Sequence, residues 1–226
     1  RTFTIIDPEV HTLSAVDDGA LVHQGTLLAT ATGSARSLLA AERVALNLLG
    51  QLSGVATATQ ELADRIADTG ASLVDTRKTV PGLRALQKSA VLAGGGKNHR
   101  MGLYDAVLIK DNHIAVSGSV EAAVKQARSK VGTDVAIEIE IESVEELETV
   151  ISAGADVVML DNMSTEDMAA AVSLAAGRCR LEASGGITMT TIREVAETGV
   201  DMISVGWLTH SAPALDVALE LEYVDA

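Results

Sequence analysis

From Ser72 onward, short aliphatic runs alternate with longer stretches in which apolar residues recur every three to four positions. The runs are SLVDT (72–76), AVLIK (106–110), DVAIEIEI (134–141), DVVMLD (156–161), CRLEAS (179–184) and DMISV (201–205). Helical spacing fills 81–92, 118–129, 143–153, 164–176 and 188–198. The last four runs start at 134, 156, 179 and 201, a nearly constant period. Strands alternating with helices at that period make βαβ units and a parallel sheet. Nearly unbroken aliphatic strands have both faces covered. A doubly wound sheet and an α/β barrel share this pattern.

The stretch before Ser34 reads differently. FTIID, ALVHQ and TLLATA, punctuated by Gly19, Gly25 and Gly33, predict small strands with tight turns. Ser34 can cap a helix whose apolar stripe is Leu38, Leu39, Val44, Leu48 and Leu49. Gly50 is expected to interrupt it before a second helix, 52–68, ending at Gly70. The chain opens at Arg1 directly into an apolar stretch, so further sequence is expected before it.

Position along the strands separates barrel from open sheet. The strand ends carry Asp75, Thr76 and Arg77, then Lys110, Glu140, Asp161, Ser184 with Gly185 and Gly186, and Val205 with Gly206. Barrel active sites gather at that C-terminal rim, and the pattern favours a barrel. Six clear strands are visible.

Charge sharpens this picture. The chain carries −14 overall, which argues against nucleic acid and anionic membrane surfaces as partners. Between Arg77 and Lys110, however, seven bases (Arg77, Lys78, Arg84, Lys88, Lys97, Arg100, Lys110) face one acid, Asp105. A cationic segment in so acidic a chain fits a small, highly anionic ligand, against the alternative of an exposed basic helix face. Arg77, Lys78, His99, Arg100 and Lys110 would converge on one mouth if neighbouring strands sit side by side. Arginine forks bind carboxylate or phosphate bidentately, and lysine acts as a point charge. Each, taken singly, could equally be a surface ion pair.

Glu140 and Asp161 end aliphatic strands, where a carboxylate must be solvated or paired. They could bind magnesium, hold ribose hydroxyls or stabilise a cationic transition state, or they could merely pair with Lys110 or Arg77. Glu138 and Glu142 share the face of Glu140 by alternation, and Glu140 has the better rim position. The glycine turns at 184–186 and 205–207 can offer backbone N–H groups to a phosphate. GGGKN lacks the spacing of a P-loop, and no GxGxxG occurs. The five histidines and the single Cys179 lack zinc spacing, and one cysteine excludes an intramolecular disulfide framework and fits a reducing cytoplasm. No apolar run approaches the roughly 18 residues a membrane span needs.

Seven segments together resemble a known family: ERVALNLLGQLSGVAT, DTRKTVPGLRALQKSAVLAGGGKNHRMGL, LIKDNHI, IEIEIES, VMLDNMS, EASGGI and ISVGWLTHS. In order and spacing they are similar to the quinolinate phosphoribosyltransferases, over about residues 14 to 217. The resemblance implies an open α/β barrel of about seven strands with a partial α/β sandwich domain. It divides the chain into 1–50 (sandwich and entry helix), 51–210 (barrel) and 211–226 (a return to the sandwich). It implies a pentosyltransferase of NAD biosynthesis that takes quinolinate, phosphoribosyl pyrophosphate and magnesium, without an organic cofactor. By motif, Arg77, His99, Arg100 and Lys110 would grip the quinolinate carboxylates, and Arg43 would reach in from the partner of a homodimer. Lys78 and Lys110 would face pyrophosphate, and with Glu140 and Asp161 they would make the catalytic set. Thr76 would line the site, Glu140 and Asp161 would hold ribose and metal, and Ser184, Gly185, Gly186, Val205, Gly206 and Trp207 the 5′-phosphate.

Two departures stand out. The family's usual N-terminal segment is not present, and Trp207 stands where the family usually has a small residue, which alters the expected phosphate turn. Two other readings compete. A Schiff-base lyase acting through Lys110 would be trapped by borohydride with a carbonyl substrate. A repurposed, non-catalytic relative would bind an anion or nucleotide without turnover.

Overall fold

The computed structural model describes residues 1–223. Strands β3 (Ser72–Val74), β4 (Val107–Ile109), β5 (Ile137–Ile141), β6 (Val157–Asp161), β7 (Arg180–Ser184) and β8 (Met202–Ser204) form one parallel sheet in the order β3-β8-β7-β6-β5-β4. All six expected runs are strands, shorter than expected because their polar ends leave the ladder. Beyond β3, Lys97 makes a single parallel bridge to Val74, which stands in for a seventh strand. Among the described residues no backbone pair joins that bridge to β4, so the barrel is open there.

Around the sheet lie α3 (Arg84–Ala93), α4 (Asp111–Ser117), α5 (Val120–Val131), α6 (Leu147–Ala153), α7 (Thr165–Ala175), α8 (Ile192–Glu197) and α9 (Trp207–His210). Helices α4 and α9 are too short for apolar spacing to reveal them. The core fills the layer between strands and helices: Ile109, Ile137, Ile139, Ile141, Val158, Leu160, Leu181 and Ile203 meet Leu62, Val124, Leu147, Met168 and Ile192. The alternate strand positions face the barrel interior. There the register sets Glu140 beside Met159, Met159 beside Glu182, and Asp161 beside Ser184. The lumen is therefore partly polar, and this places the chemistry.

The segment ahead of Ser34 corrects the sequence reading. FTIID is a helical turn, α1 (Thr2–Ile6), and ALVHQ has no regular structure. Only the end of TLLATA enters a strand, β2 (Ala29–Thr32), which pairs antiparallel with β1 (His11–Ser14). So short a run cannot tell a period of 2 from one of 3.6.

Helix α2 (Ala35–Ile66) is a continuous rod of 32 residues, not two helices. The Ser34 side chain accepts the Ser37 N–H at 3.2 Å, the expected cap. Gly50 does not interrupt the helix. It and Gly54 lie one turn apart, where the segment after the barrel crosses. The Leu215 N–H donates to the Gly50 carbonyl at 2.9 Å. A Cβ on Gly50 would stand 2.7 Å from the Leu215 carbonyl oxygen, and one on Gly54 only 1.9 Å from that of Pro213. The glycines serve close approach. Gly54→Ala should therefore destabilise the fold by about 1–3 kcal/mol, the usual cost of overpacking, read as a lowered Tm. An unchanged Tm would mean that the crossing is not fixed in solution. Residues 224–226 of this expected return segment lie outside the described residues.

The expected stripe on the first half of α2 is corrected as well. Leu38 is buried, but Leu39, Val44 and Leu49 are 53%, 56% and 40% exposed. The face that packs on the barrel is Val55, Ala58, Leu62 and Ile66. Among the described residues no helix is long and apolar enough to cross a membrane.

Candidate active site

The rim is built in two layers. In the upper layer, the chain after β3 turns through Thr76, Arg77 and Lys78, with the Thr76 hydroxyl accepting the Lys78 N–H at 3.0 Å. The glycine turn before α9 closes against the same residues: a Cβ on Gly206 would stand 3.0 Å from Lys78 Cδ and 3.4 Å from Thr76 Oγ1. Thr209 donates its hydroxyl to the Lys78 carbonyl at 2.8 Å. On the other side, the Lys110 ammonium pairs with Glu140. Asp161 takes the Asn162 amide at 2.8 Å, and Asn162 adopts φ 55°. That strained turn abuts the next: a Cβ on Gly185 would stand 2.1 Å from Asn162 Oδ1. Gly185 and Gly186 both have positive φ, 96° and 60°, which the tight turn after Ser184 requires.

Arg77 and Arg100 complete this layer. Among the described residues neither guanidinium has a hydrogen-bond or ion-pair partner. Burial and then the Arg77 charge hold the Arg100 pKa below its ordinary value, so the two guanidiniums sense each other. Like charges that face one another unpaired are an arrangement completed by an anion.

The lower layer fixes the upper one. Lys88 and Asp75, 1% and 0% exposed, form a buried ion pair. Lys88 also donates to the His99 carbonyl at 3.1 Å, and Asp75 accepts the His99 N–H at 2.8 Å. Burial raises the Asp75 pKa in spite of Lys88. Arg84 clamps two loops, donating to Thr79 Oγ1 at 3.0 Å and to the Met101 and Arg77 carbonyls at 3.1 Å each.

His99 itself faces inward. Its Nε2 lies 3.0 Å from Glu138 Oε2 and 3.2 Å from Glu182 Oε2, and its Nδ1 accepts the Arg100 N–H at 2.8 Å. A protonated Nδ1 would point a hydrogen at that N–H, so the ring proton sits on Nε2. One proton cannot satisfy two buried carboxylates, and a second is shared between them. Burial and then Glu182 push the Glu138 carboxyl above its usual range, against the pull of His99. Burial opposes protonation of His99, but Glu138 and Glu182 outweigh it and raise its pKa to about 10.

The sign of the linked pH effect follows. Below the ordinary imidazole value of 6.5 the unfolded chain holds the proton too, and the contribution to stability is complete. It is lost as pH rises from 6.5 to about 10. Urea unfolding midpoints should fall between pH 7 and 9.5, by less in a Glu138→Gln/Glu182→Gln variant. Equal falls would mean that the trio does not hold the proton.

Thus Thr76, Arg77, Lys78, His99, Arg100, Lys110, Glu140, Asp161, Ser184, Gly185, Gly186 and Gly206 lie on the rim or just beneath it. Three residues differ. Arg43 lies on α2 with its side chain 73% exposed and paired only to Glu42 within the chain. Val205 turns into the core, and its N–H donates to the Val74 carbonyl, so only its carbonyl remains free. Trp207 packs against the core and donates its indole N–H to the Ile187 carbonyl at 3.0 Å, tying the two glycine turns together. The largest cleft, about 440 Å³, lies elsewhere, between α2 and the Gly94–Lys97 turn near the start of β3.

Sequence reasoning gave no role to Asp75, Arg84, Lys88 or Glu182. For Glu182 a signal existed: it lies two residues before Ser184 in CRLEAS, as Glu138 lies two before Glu140.

An open parallel barrel with unpaired guanidiniums and lysines opposite two carboxylates defines an enzyme of the anion-transferring type. Family models for the N-terminal and C-terminal domains of quinolinate phosphoribosyl transferase match residues 2–53 and 55–220. The chain belongs to the quinolinate phosphoribosyltransferase family.

It is 46% identical to a probable carboxylating nicotinate-nucleotide pyrophosphorylase of Bacillus subtilis over 97% of this chain and 76% of that protein. A Mycobacterium leprae protein, a carboxylating nicotinate-nucleotide pyrophosphorylase, is 44% identical over 92% and 74%. Among solved structures, NadC from Streptococcus pyogenes superposes with a TM-score of 0.92 at 45% identity, covering 99% of this chain and 79% of that one.

Proposed function

We infer that the protein transfers a phosphoribosyl group from phosphoribosyl pyrophosphate to quinolinate with decarboxylation, yielding nicotinate mononucleotide, pyrophosphate and carbon dioxide. The observation that carries this reading is the pair Arg77 and Arg100, unpartnered at one rim beside Lys78 and Lys110. Quinolinate brings two adjacent carboxylates to such a pair. The relatives' names support it.

The arginines hold the pyridine ring so that its nitrogen faces C1 of the ribose, converting an encounter into a positioned reaction. As the C1–O bond to pyrophosphate breaks, positive character grows at C1, and Glu140 and Asp161 offset it. Lys78 and Lys110 take up charge on the departing pyrophosphate. The ring nitrogen, now bonded to C1 and cationic, accepts the electron pair of the adjacent C–C bond as carbon dioxide leaves. The vacated carbon is then protonated.

Glu140 and Asp161 are hard oxygen donors at the rim, and they fit magnesium, which binds through one or two carboxylates plus substrate phosphates. When bound it would supply countercharge to pyrophosphate. The Lys110 ammonium, seated against Glu140, is arranged for handling anions rather than for the free amine that a Schiff base needs.

The protein would act in the cytoplasm as a homodimer, with Arg43 completing the partner's site. Its exposure and lack of a role within its own chain support this. Mixing Arg43→Ala with Arg100→Ala subunits should restore part of the activity; no recovery after proven subunit exchange would remove Arg43 from the site. The test of the reaction is pyrophosphate release with quinolinate against nicotinate. Activity on nicotinate alone would overturn the assignment of the second carboxylate.

A further inference from the structure

We propose that Glu138 and Glu182 are positioning residues: from inside the barrel they fix the His99 ring so that Nδ1 accepts the Arg100 backbone N–H, and so aim Arg100 at the anion site. The proposal deepens the quinolinate reading and rests on it for its kinetic consequence.

Three observations carry it. The first is location. Glu138 and Glu182 are 4% and 0% exposed, one layer below the rim, at positions where aliphatic side chains would fill a barrel. Burying carboxylates is unfavourable by several kcal/mol each even after relaxation, and apolar replacements are often neutral or stabilising. Two carboxylates kept there answer to something other than stability.

The second is exclusivity. Glu138 Oε1 and both Glu182 oxygens have no conventional hydrogen-bond partner among the described residues, and His99 is the one side chain with a proton for the pair. The carboxylates therefore act on His99 and on nothing else.

The third is transmission. His99 has no free nitrogen: Nε2 points to the glutamates and Nδ1 to the Arg100 N–H. A ring released from the glutamates can rotate about its two side-chain torsions, and Arg100 then loses the contact at 2.8 Å that sets its backbone. His99 is thus a strut between the lumen and the guanidinium, rather than a direct ligand of the substrate.

The test compares two double variants. Glu138→Leu/Glu182→Leu removes both acceptors, whereas Glu138→Gln/Glu182→Gln keeps an acceptor oxygen for Nε2 and an amide for the second contact. With leucines the quinolinate KM should rise about tenfold or more while the KM for phosphoribosyl pyrophosphate stays within about twofold. The glutamines should recover most of that loss.

A folded leucine variant with an unchanged quinolinate KM would overturn the proposal. So would a glutamine variant as impaired as the leucine one, since charge rather than orientation would then matter.

If the leucine variant does not fold, nitrogen-15 NMR of the unaltered protein decides. The proposal requires His99 with hydrogen on Nε2 and none on Nδ1 at neutral pH, and a protonated Nδ1 would overturn it. That measurement needs no turnover. Failure of the unaltered protein to release pyrophosphate with quinolinate would instead count against the functional reading alone.

Discussion

Replacing Lys88 by methionine should destabilise the protein by about 3–5 kcal/mol, the usual cost of breaking a buried ion pair from one side. Asp75 would be left in a site without solvent, facing only the His99 N–H. The loss is measured by urea unfolding, and adding Asp75→Leu should restore most of it, because the uncompensated charge is gone. A loss below about 1 kcal/mol would mean that Asp75 takes up a proton in the folded state, the direction in which burial already pushes it. The same substitution should disturb the site, since Lys88 also holds the His99 carbonyl.

Arg100→Ala should lower kcat/KM for quinolinate by roughly 10- to 150-fold, the equivalent of the roughly 1.5–3 kcal/mol carried by a charge-assisted hydrogen bond. No partner within the chain is stranded by this change, so the Tm should move little. Relief of repulsion from Arg77 offsets part of the loss. Arg100→Lys keeps the charge but not the planar fork, and it should recover only part of the activity. Steady-state kinetics with quinolinate varied at saturating phosphoribosyl pyrophosphate decides it. Unchanged kinetics would take Arg100 out of the site.

The fold was legible where pattern and burial coincide. The six runs from SLVDT to DMISV are strands because both their faces are covered, so nearly every position reports β structure. FTIID and the Gly50 break misled for opposite reasons. FTIID is too short to carry a period. Gly50 carries the signature of a helix end but serves the crossing of Leu215, a contact with the far end of the chain that no local window can contain.

The rim was legible because its residues end strands. The layer beneath was not: Lys88 and Arg84 look like any solvated helix face until α3 is docked against the end of β3. Glu182 sits in an aliphatic strand as a lone acid, and only the register with β6 shows that it shares the lumen with Glu138.

Helix α2 begins at Ala35 and ends at Ile66, while the two family-model matches meet between 53 and 55, in its middle. The rod therefore belongs to both halves. Cutting the gene where the matches meet would leave the barrel only the stretch from Val55 to Ile66, deprived of the Ser34 cap. Such a stump is near the limit at which an isolated helix holds its shape, and the groove for residues 213–215 would lose one wall. A barrel fragment meant to fold alone should start at Ser34.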